Sequence, residues 1–82
     1  MDIRNKIRAF IVENFLFGKD EGLDDESSFL DEGIIDSTGI LELVSFMEEE
    51  FHIKVEDEEL IPENLDSIKN VVAYLEKKAS GQ

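Results

Sequence analysis

Asp36-Ser37-Thr38-Gly39-Ile40-Leu41-Glu42-Leu43-Val44-Ser45-Phe46-Met47-Glu48-Glu49-Glu50-Phe51 decides the fold, because it reads as an amphipathic helix with its start specified twice. Asp36 is the N-cap, its carboxylate placed to accept from the first-turn amides. Ile35 before the cap and Ile40 within the helix occupy the two positions of a hydrophobic staple. Ile40, Leu43, Val44, Met47 and Phe51 form the buried stripe at helical spacing, and the pattern breaks at His52-Ile53-Lys54-Val55. Ser37 falls at the edge of that stripe, just after a turn at Asp31-Glu32-Gly33, so its hydroxyl is exposed at a helix N-terminus. Unpaired amides and the positive end of the helix dipole favour a negatively charged group attached there, such as a phosphodiester. Gly39 in the first turn costs helix propensity and points to close approach by another chain or group.

Working outward, Ile3, Ile7, Phe10, Ile11 and Phe15 predict a first helix from about Asp2 to about Leu16, ended by Phe17-Gly18. A long acidic connection runs from Gly18 to Asp36, with Phe29, Leu30 and Ile34 as its expected pins. Asp57-Glu58-Glu59-Leu60 ahead of Ile61-Pro62 permits only a short helical turn, a connector with a hydrophobic peg. Asp66 is expected to cap a last helix carrying Ile68, Val71, Val72 and Leu75, with Lys77 and Lys78 set against its C-terminal dipole and Ala79 to Gln82 as a frayed tail. The fold class is therefore all-α: a small four-helix bundle of three main helices plus one short helix, as one domain over residues 1–82.

Composition limits the chemistry. Eighty-two residues hold one core but no deep active-site cleft. Without cysteine there is no disulfide, thiolate ligand or thiol nucleophile, and thiol chemistry would need an imported group. The lone His52 cannot build a zinc site, and no window of the acidic connection has EF-hand spacing, so no metal site is expected. No apolar run is long enough to span a membrane, and nothing reads as a signal peptide; the cytoplasm is the expected compartment. From Asp20 through Ile53 there are twelve acids and no lysine or arginine, in a chain of net charge −13. Nucleic acid is repelled by such a surface, and partners docking there should be basic.

Ser37 as a catalytic nucleophile would need a base and an oxyanion hole. The one histidine lies at the other end of the same helix and cannot reach it. Down the exposed edge from Ser37 come Leu41, Ser45 and Glu48, with Thr38, Glu42 and Glu49 farther round: a docking track for a basic partner with a small apolar socket. The other reading of the same face is a small acidic interaction module that is never covalently modified.

Ser28-Phe29-Leu30-Asp31-Glu32-Gly33-Ile34-Ile35-Asp36-Ser37, followed by Leu43-Val44, Glu48-Glu49-Glu50-Phe51, Val55 to Glu59 and the last helix, resembles the acyl and peptidyl carrier protein family over almost the whole chain. The resemblance implies that Ser37 receives 4′-phosphopantetheine from coenzyme A through a separate phosphopantetheinyl transferase, with Asp36 helping to position magnesium and the incoming phosphate. It implies a monomeric carrier, not an enzyme, whose cargo rides as a thioester and whose partners read Thr38, Leu41, Glu42, Ser45 and Glu48. Fatty-acid-synthesis carriers usually read Asp-Ser-Leu-Asp, whereas this chain has Thr38 and Gly39, altering an apolar and an acidic docking contact. The wording from Glu32 to Gly39 is closer to stand-alone D-alanyl or aminoacyl carriers, which adenylating ligases load; a specialised fatty-acyl or polyketide carrier is the alternative. Six phenylalanines in so small a bundle imply a filled interior with little room for a long acyl chain.

Overall fold

The computed structural model describes residues 2–18 and 23–79. Helix α1 spans Ile3–Phe15, α2 Ser37–Phe51, a 3-10 turn Asp57–Glu59, α3 Pro62–Leu65 and α4 Ile68–Ala79. Among the described residues there is no strand. The expected end of the chain beyond Ala79, and the part of the acidic connection at 19–22, lie outside the described residues.

Asp2 starts α1 by accepting the Arg4 amide at 3.0 Å, and Ile7 and Ile11 on its inner face are fully buried. Helix α2 runs antiparallel to it, because Lys6 pairs with Glu50, the Phe10 and Phe46 rings stack at 4.2 Å, and Phe15 approaches Gly39. The core is closed by Leu43 and Met47 of α2 and by Ile68, Val71 and Leu75 of α4. His52 ends α2 in the left-handed region at φ 56°, a conformation that histidine tolerates better than most residues.

Three expectations need correction. The connector does not stop at Pro62: proline's fixed φ suits a first helical position, and it opens α3. Ile61 before it stays extended. The buried peg is Leu65, whereas Leu60 and Ile61 remain exposed. Asp66 does not cap α4. The Ser67 hydroxyl accepts the Asn70 amide at 3.1 Å, which leaves the Asp66 carboxylate to accept from the Ser28 hydroxyl and, at 3.0 Å, from the Leu30 amide.

Of the three expected pins of the connection, Phe29 is fully buried and Ile34 half-buried, but Leu30 is exposed. Leu23 and Ile35 are buried instead. The Phe29 amide donates to the Asp66 carbonyl at 2.7 Å, and the Lys69 amide donates to the Asp25 carbonyl at 2.8 Å, so backbone groups at the start of α4 hold the connection down. Arg4 of α1 adds an ion pair to the Asp25 carboxylate at 2.6 Å.

The phenylalanines do not fill the interior. Phe29 alone is fully buried; Phe10, Phe15, Phe46 and Phe51 line the outer seam of α1 and α2 in stacked and edge-on pairs. Aliphatic side chains occupy most of the centre.

Candidate functional site

The site begins at the turn before α2. Gly33 adopts φ 72°, a left-handed conformation that glycine takes without steric cost, and its amide closes onto the Leu30 carbonyl at 3.3 Å. The Ile34 and Ile35 amides both donate to the Phe29 carbonyl, at 2.9 and 3.2 Å. Buried Phe29 and Ile35 thereby fix the direction in which α2 leaves the turn.

Asp36 is the N-cap as expected: its Oδ1 accepts the Gly39 amide at 2.8 Å, while its backbone carbonyl accepts the Ile40 amide at 2.9 Å. Ser37 is the first helical residue and is exposed. Because Asp36 takes the capping duty, the Ser37 hydroxyl is not committed to it, and the Ser37 and Thr38 amides are first-turn donors left for an outside acceptor.

Gly39 has an intramolecular reason. It is buried, and a β-carbon there would stand 2.7 Å from Ile35 Cγ2 and 2.8 Å from Phe15 Cε1. The close approach read from the sequence is thus made by the protein's own side chains, which seal the helix start against the end of α1.

The expected docking track is mostly on one surface. Thr38, Glu42 and Ser45 are exposed, and Leu41 is 58% exposed. Glu48 has another duty: it is half-buried, and its carboxylate accepts the Val55 amide at 2.9 Å, bracing the exit from α2.

Ser37 also lies at the lip of a cleft of about 310 Å³ lined by Leu30, Ile40, Leu41, Leu60, Ile61, Pro62, Leu65 and Asp66. This group escaped sequence reading apart from Leu41, because its members come from three separate segments with no shared periodicity. The available signal was the run Leu60-Ile61-Pro62, too apolar for an ordinary exposed connector.

The far wall of the cleft is braced from behind. Glu59 Oε1 accepts from the Tyr74 hydroxyl at 2.9 Å, from Lys78 Nζ at 3.0 Å and from the Glu56 amide at 2.9 Å. These partners, the Glu56 amide first and Lys78 next, hold the Glu59 carboxyl down at about 2. Burial, reinforced by the hydrogen bond to Glu59, pushes the Tyr74 phenol up. Lys78, expected only to face the helix dipole, therefore ties α4 to the 3-10 turn that carries Leu60 and Ile61. Among the described residues no cluster of three carboxylates or histidines could hold a metal ion, and no helix is long and apolar enough to cross a membrane.

The sequence matches the family model of the phosphopantetheine attachment site over residues 6–75. It is 41% identical over 78 residues to an acyl carrier protein of Bdellovibrio bacteriovorus, covering 95% of this chain and 96% of that one. An acyl carrier protein of Helicobacter hepaticus is 37% identical over 76 residues, with 93% of this chain and 96% of that one covered. The probable acyl carrier protein PigG of a Serratia species is 28% identical over 75 residues, covering 92% and 86% respectively. Among solved structures, a chain from one titled as the crystal structure of an FAD-dependent dehydrogenase superposes with a TM-score of 0.75 at 25% identity, over 84% of this chain and 97% of that chain.

Proposed function

The chain belongs to the family of acyl carrier proteins that bear 4′-phosphopantetheine, and from that premise we propose that Ser37 is the hydroxyl that takes the arm. The observation that carries this is the division of labour at the start of α2. Asp36 caps, and Ser37 is exposed one residue later with open amide donors beside it. Those donors and the positive helix end suit a phosphodiester, so the residues present fit the group.

Ser37 Oγ forms a new bond to the phosphorus of coenzyme A that carries the pantetheine arm. The pyrophosphate P–O bond breaks, adenosine 3′,5′-bisphosphate leaves, and the serine proton passes to a base on the transferase. The Asp36 carboxylate, adjacent and exposed, would help to hold the magnesium that the transferase uses in this step. Once attached, the arm supplies the thiol that carries the cargo. The chain itself contributes no catalytic base: His52 is fifteen residues along α2 from Ser37, about 22 Å at the helical rise. We therefore read it as the substrate of its partner enzymes and not as an enzyme. Family membership displaces the unmodified acidic module.

Intact mass after incubation with coenzyme A, magnesium and a broad-specificity phosphopantetheinyl transferase tests the assignment. The wild type gains the mass of the arm and Ser37→Ala does not; an equal gain on the variant refutes it.

For the cargo we favour an aminoacyl or short acyl group delivered by an adenylating ligase. The cleft beside Ser37 is at the small end of ligand pockets, and the space beside Gly39 is closed off by Ile35 and Phe15. Loading of the arm-bearing protein by ligases for long-chain fatty acids only, and never by those for amino acids or short acids, would overturn this preference. The likeness to a chain in an FAD-dependent dehydrogenase structure supports one further partner class. This chain covers 97% of that chain, so the likeness is to a carrier-sized polypeptide. A flavin enzyme acting on the carried thioester is accordingly worth assaying by flavin bleaching against the loaded protein.

A further inference from the structure

Four of the five large hydrophobic side chains that stand exposed among the described residues, Leu30, Leu41, Leu60 and Ile61, line the cleft beside Ser37. Apolar groups gathered in one exposed place ordinarily mark a binding surface. The chemistry of what binds here is set by the single ionisable lining group, the Asp66 carboxylate. Its two oxygens accept from the Ser28 hydroxyl and, at 3.0 Å, from the Leu30 amide, so the group is held in place. A carboxylate has about four acceptor positions, and these two bonds leave half of them open. Among the described residues no lysine or arginine pairs with Asp66, and none lines the cleft.

Ser37 at the lip says how a ligand arrives. Whatever its hydroxyl carries on a flexible arm is kept close to the cleft, and a short flexible tether gives an effective concentration of about 1 mM. A group that binds with a Kd of about 1 mM is then docked roughly half of the time. A few apolar contacts and one charge-assisted hydrogen bond are enough for such weak binding.

The complementary cargo has an apolar body for Leu41, Leu60 and Ile61 and a cationic head for Asp66. An α-aminoacyl group with an aliphatic side chain has both, because the thioester ties up its carboxyl and leaves the ammonium as its only charge. A fatty acyl group lacks the head. An acidic amino acid brings a second carboxylate against Asp66, and like charges repel.

We propose that this cleft is a cargo site selective for aliphatic aminoacyl groups, in which Asp66 accepts a hydrogen bond from the α-ammonium. The inference rests on Ser37 bearing the arm, and it deepens the aminoacyl reading by naming the amino acids that fit. It makes the carrier itself, and not only its ligase, a source of cargo discrimination.

The test uses coenzyme A analogues that end in a leucyl or a 4-methylpentanoyl amide in place of the labile thioester. A phosphopantetheinyl transferase attaches each to the isotopically labelled full chain, and intact mass confirms the product. The two cargoes share one aliphatic skeleton and differ in the ammonium, which is mostly protonated at about pH 6.5 because an α-amino group titrates near 7.7–8.0. Amide chemical-shift changes at Leu30, Leu60, Ile61 and Asp66, taken against the chain with an unloaded arm, should be at least threefold larger for the leucyl cargo. Asp66→Asn keeps an acceptor for the Leu30 amide and a hydrogen-bonding group for Ser28, and should cut the leucyl shifts at least threefold. Equal shifts for the two cargoes on the wild type, or leucyl shifts that survive Asp66→Asn, overturn the inference while leaving Ser37 as the attachment point. The first comparison needs no variant and decides the matter even where Asp66→Asn does not fold. A wild type that accepts no arm overturns both readings.

Discussion

Gly39→Ala should destabilise this protein even though it replaces glycine by the best helix former in the first turn of a helix. The propensity gain is about 1 kcal/mol. Against it stands the added β-carbon, at 2.7 Å from Ile35 Cγ2 and 2.8 Å from Phe15 Cε1. Ile35 is buried, and its branched side chain has few rotamers, so its methyl cannot retreat cheaply. Phe15 is half-buried and can turn, but only by leaving the seam where its ring meets Phe10 edge-on. Overpacking of this kind costs about 1–3 kcal/mol, so the expected net loss is about 1 kcal/mol. In a domain of this length that is a fall of about 4–8 °C in Tm. Thermal and urea unfolding followed by circular dichroism measure it. The double variant Gly39→Ala with Phe15→Leu should recover part of the loss, with a coupling above about 0.5 kcal/mol. A Gly39→Ala protein as stable as the wild type, or more so, would refute the packing argument and return Gly39 to an external role.

Three further outcomes follow from the site. Asp66→Ala removes the acceptor for the Ser28 hydroxyl and the Leu30 amide, and should cost about 2 kcal/mol in denaturant unfolding; a change within error would show that the Phe29 to Asp66 backbone bond suffices alone. Glu59 is held at about 2 against an ordinary value of 4.5, so it stabilises the fold fully above pH 4.5 and loses that contribution as pH falls toward 2; Glu59→Gln should lower stability at neutral pH and flatten the acid limb of the stability curve. An acid limb identical to the wild type would remove Glu59 from the brace. Leu41→Glu should slow loading by partner enzymes while unfolding within about 0.5 kcal/mol of the wild type, since the side chain is mostly in solvent; a collapse in stability would place Leu41 in the core.

The helices were legible because each rests on a local signal. Asp2 and Asp36 cap where an aspartate precedes an apolar stripe, and Ile7, Ile11, Leu43, Met47, Ile68, Val71 and Leu75 fall inward at three- and four-residue spacing. What failed was the partner of each loop group. Asp66 has the spacing of a cap for α4, and so does Ser67; the choice between them depends on Ser28 and Leu30, almost forty residues earlier, arriving beside the carboxylate. Tertiary contact of that range leaves no trace in periodicity. The phenylalanines misled for a related reason, since hydrophobicity predicts burial on average but does not distinguish a core from a seam: Phe10 and Phe46 satisfy each other on the flank of the bundle. The cleft beside Ser37 was invisible because Leu30, Leu60 and Ile61 converge only after the loops are pinned.

The tetrad Asp36-Ser37-Thr38-Gly39 can now be divided by physical duty, and the division changes what its departures mean. Asp36 caps, Ser37 offers its hydroxyl and Thr38 faces solvent, but Gly39 faces inward. From the sequence, Thr38 and Gly39 together argued against the usual fatty-acid partners, as two altered docking contacts. The structure separates them. A carrier with aspartate at the Gly39 position must place something smaller, or something elsewhere, where this protein has Ile35 Cγ2 and Phe15 Cε1. Gly39 is therefore coupled to Phe15 and to the interior seal of the helix start, and it says little by itself about who docks. Thr38 is left as the one departure of the tetrad exposed to solvent, one residue from the proposed attachment serine, and we propose that partner choice at this end of α2 turns on it.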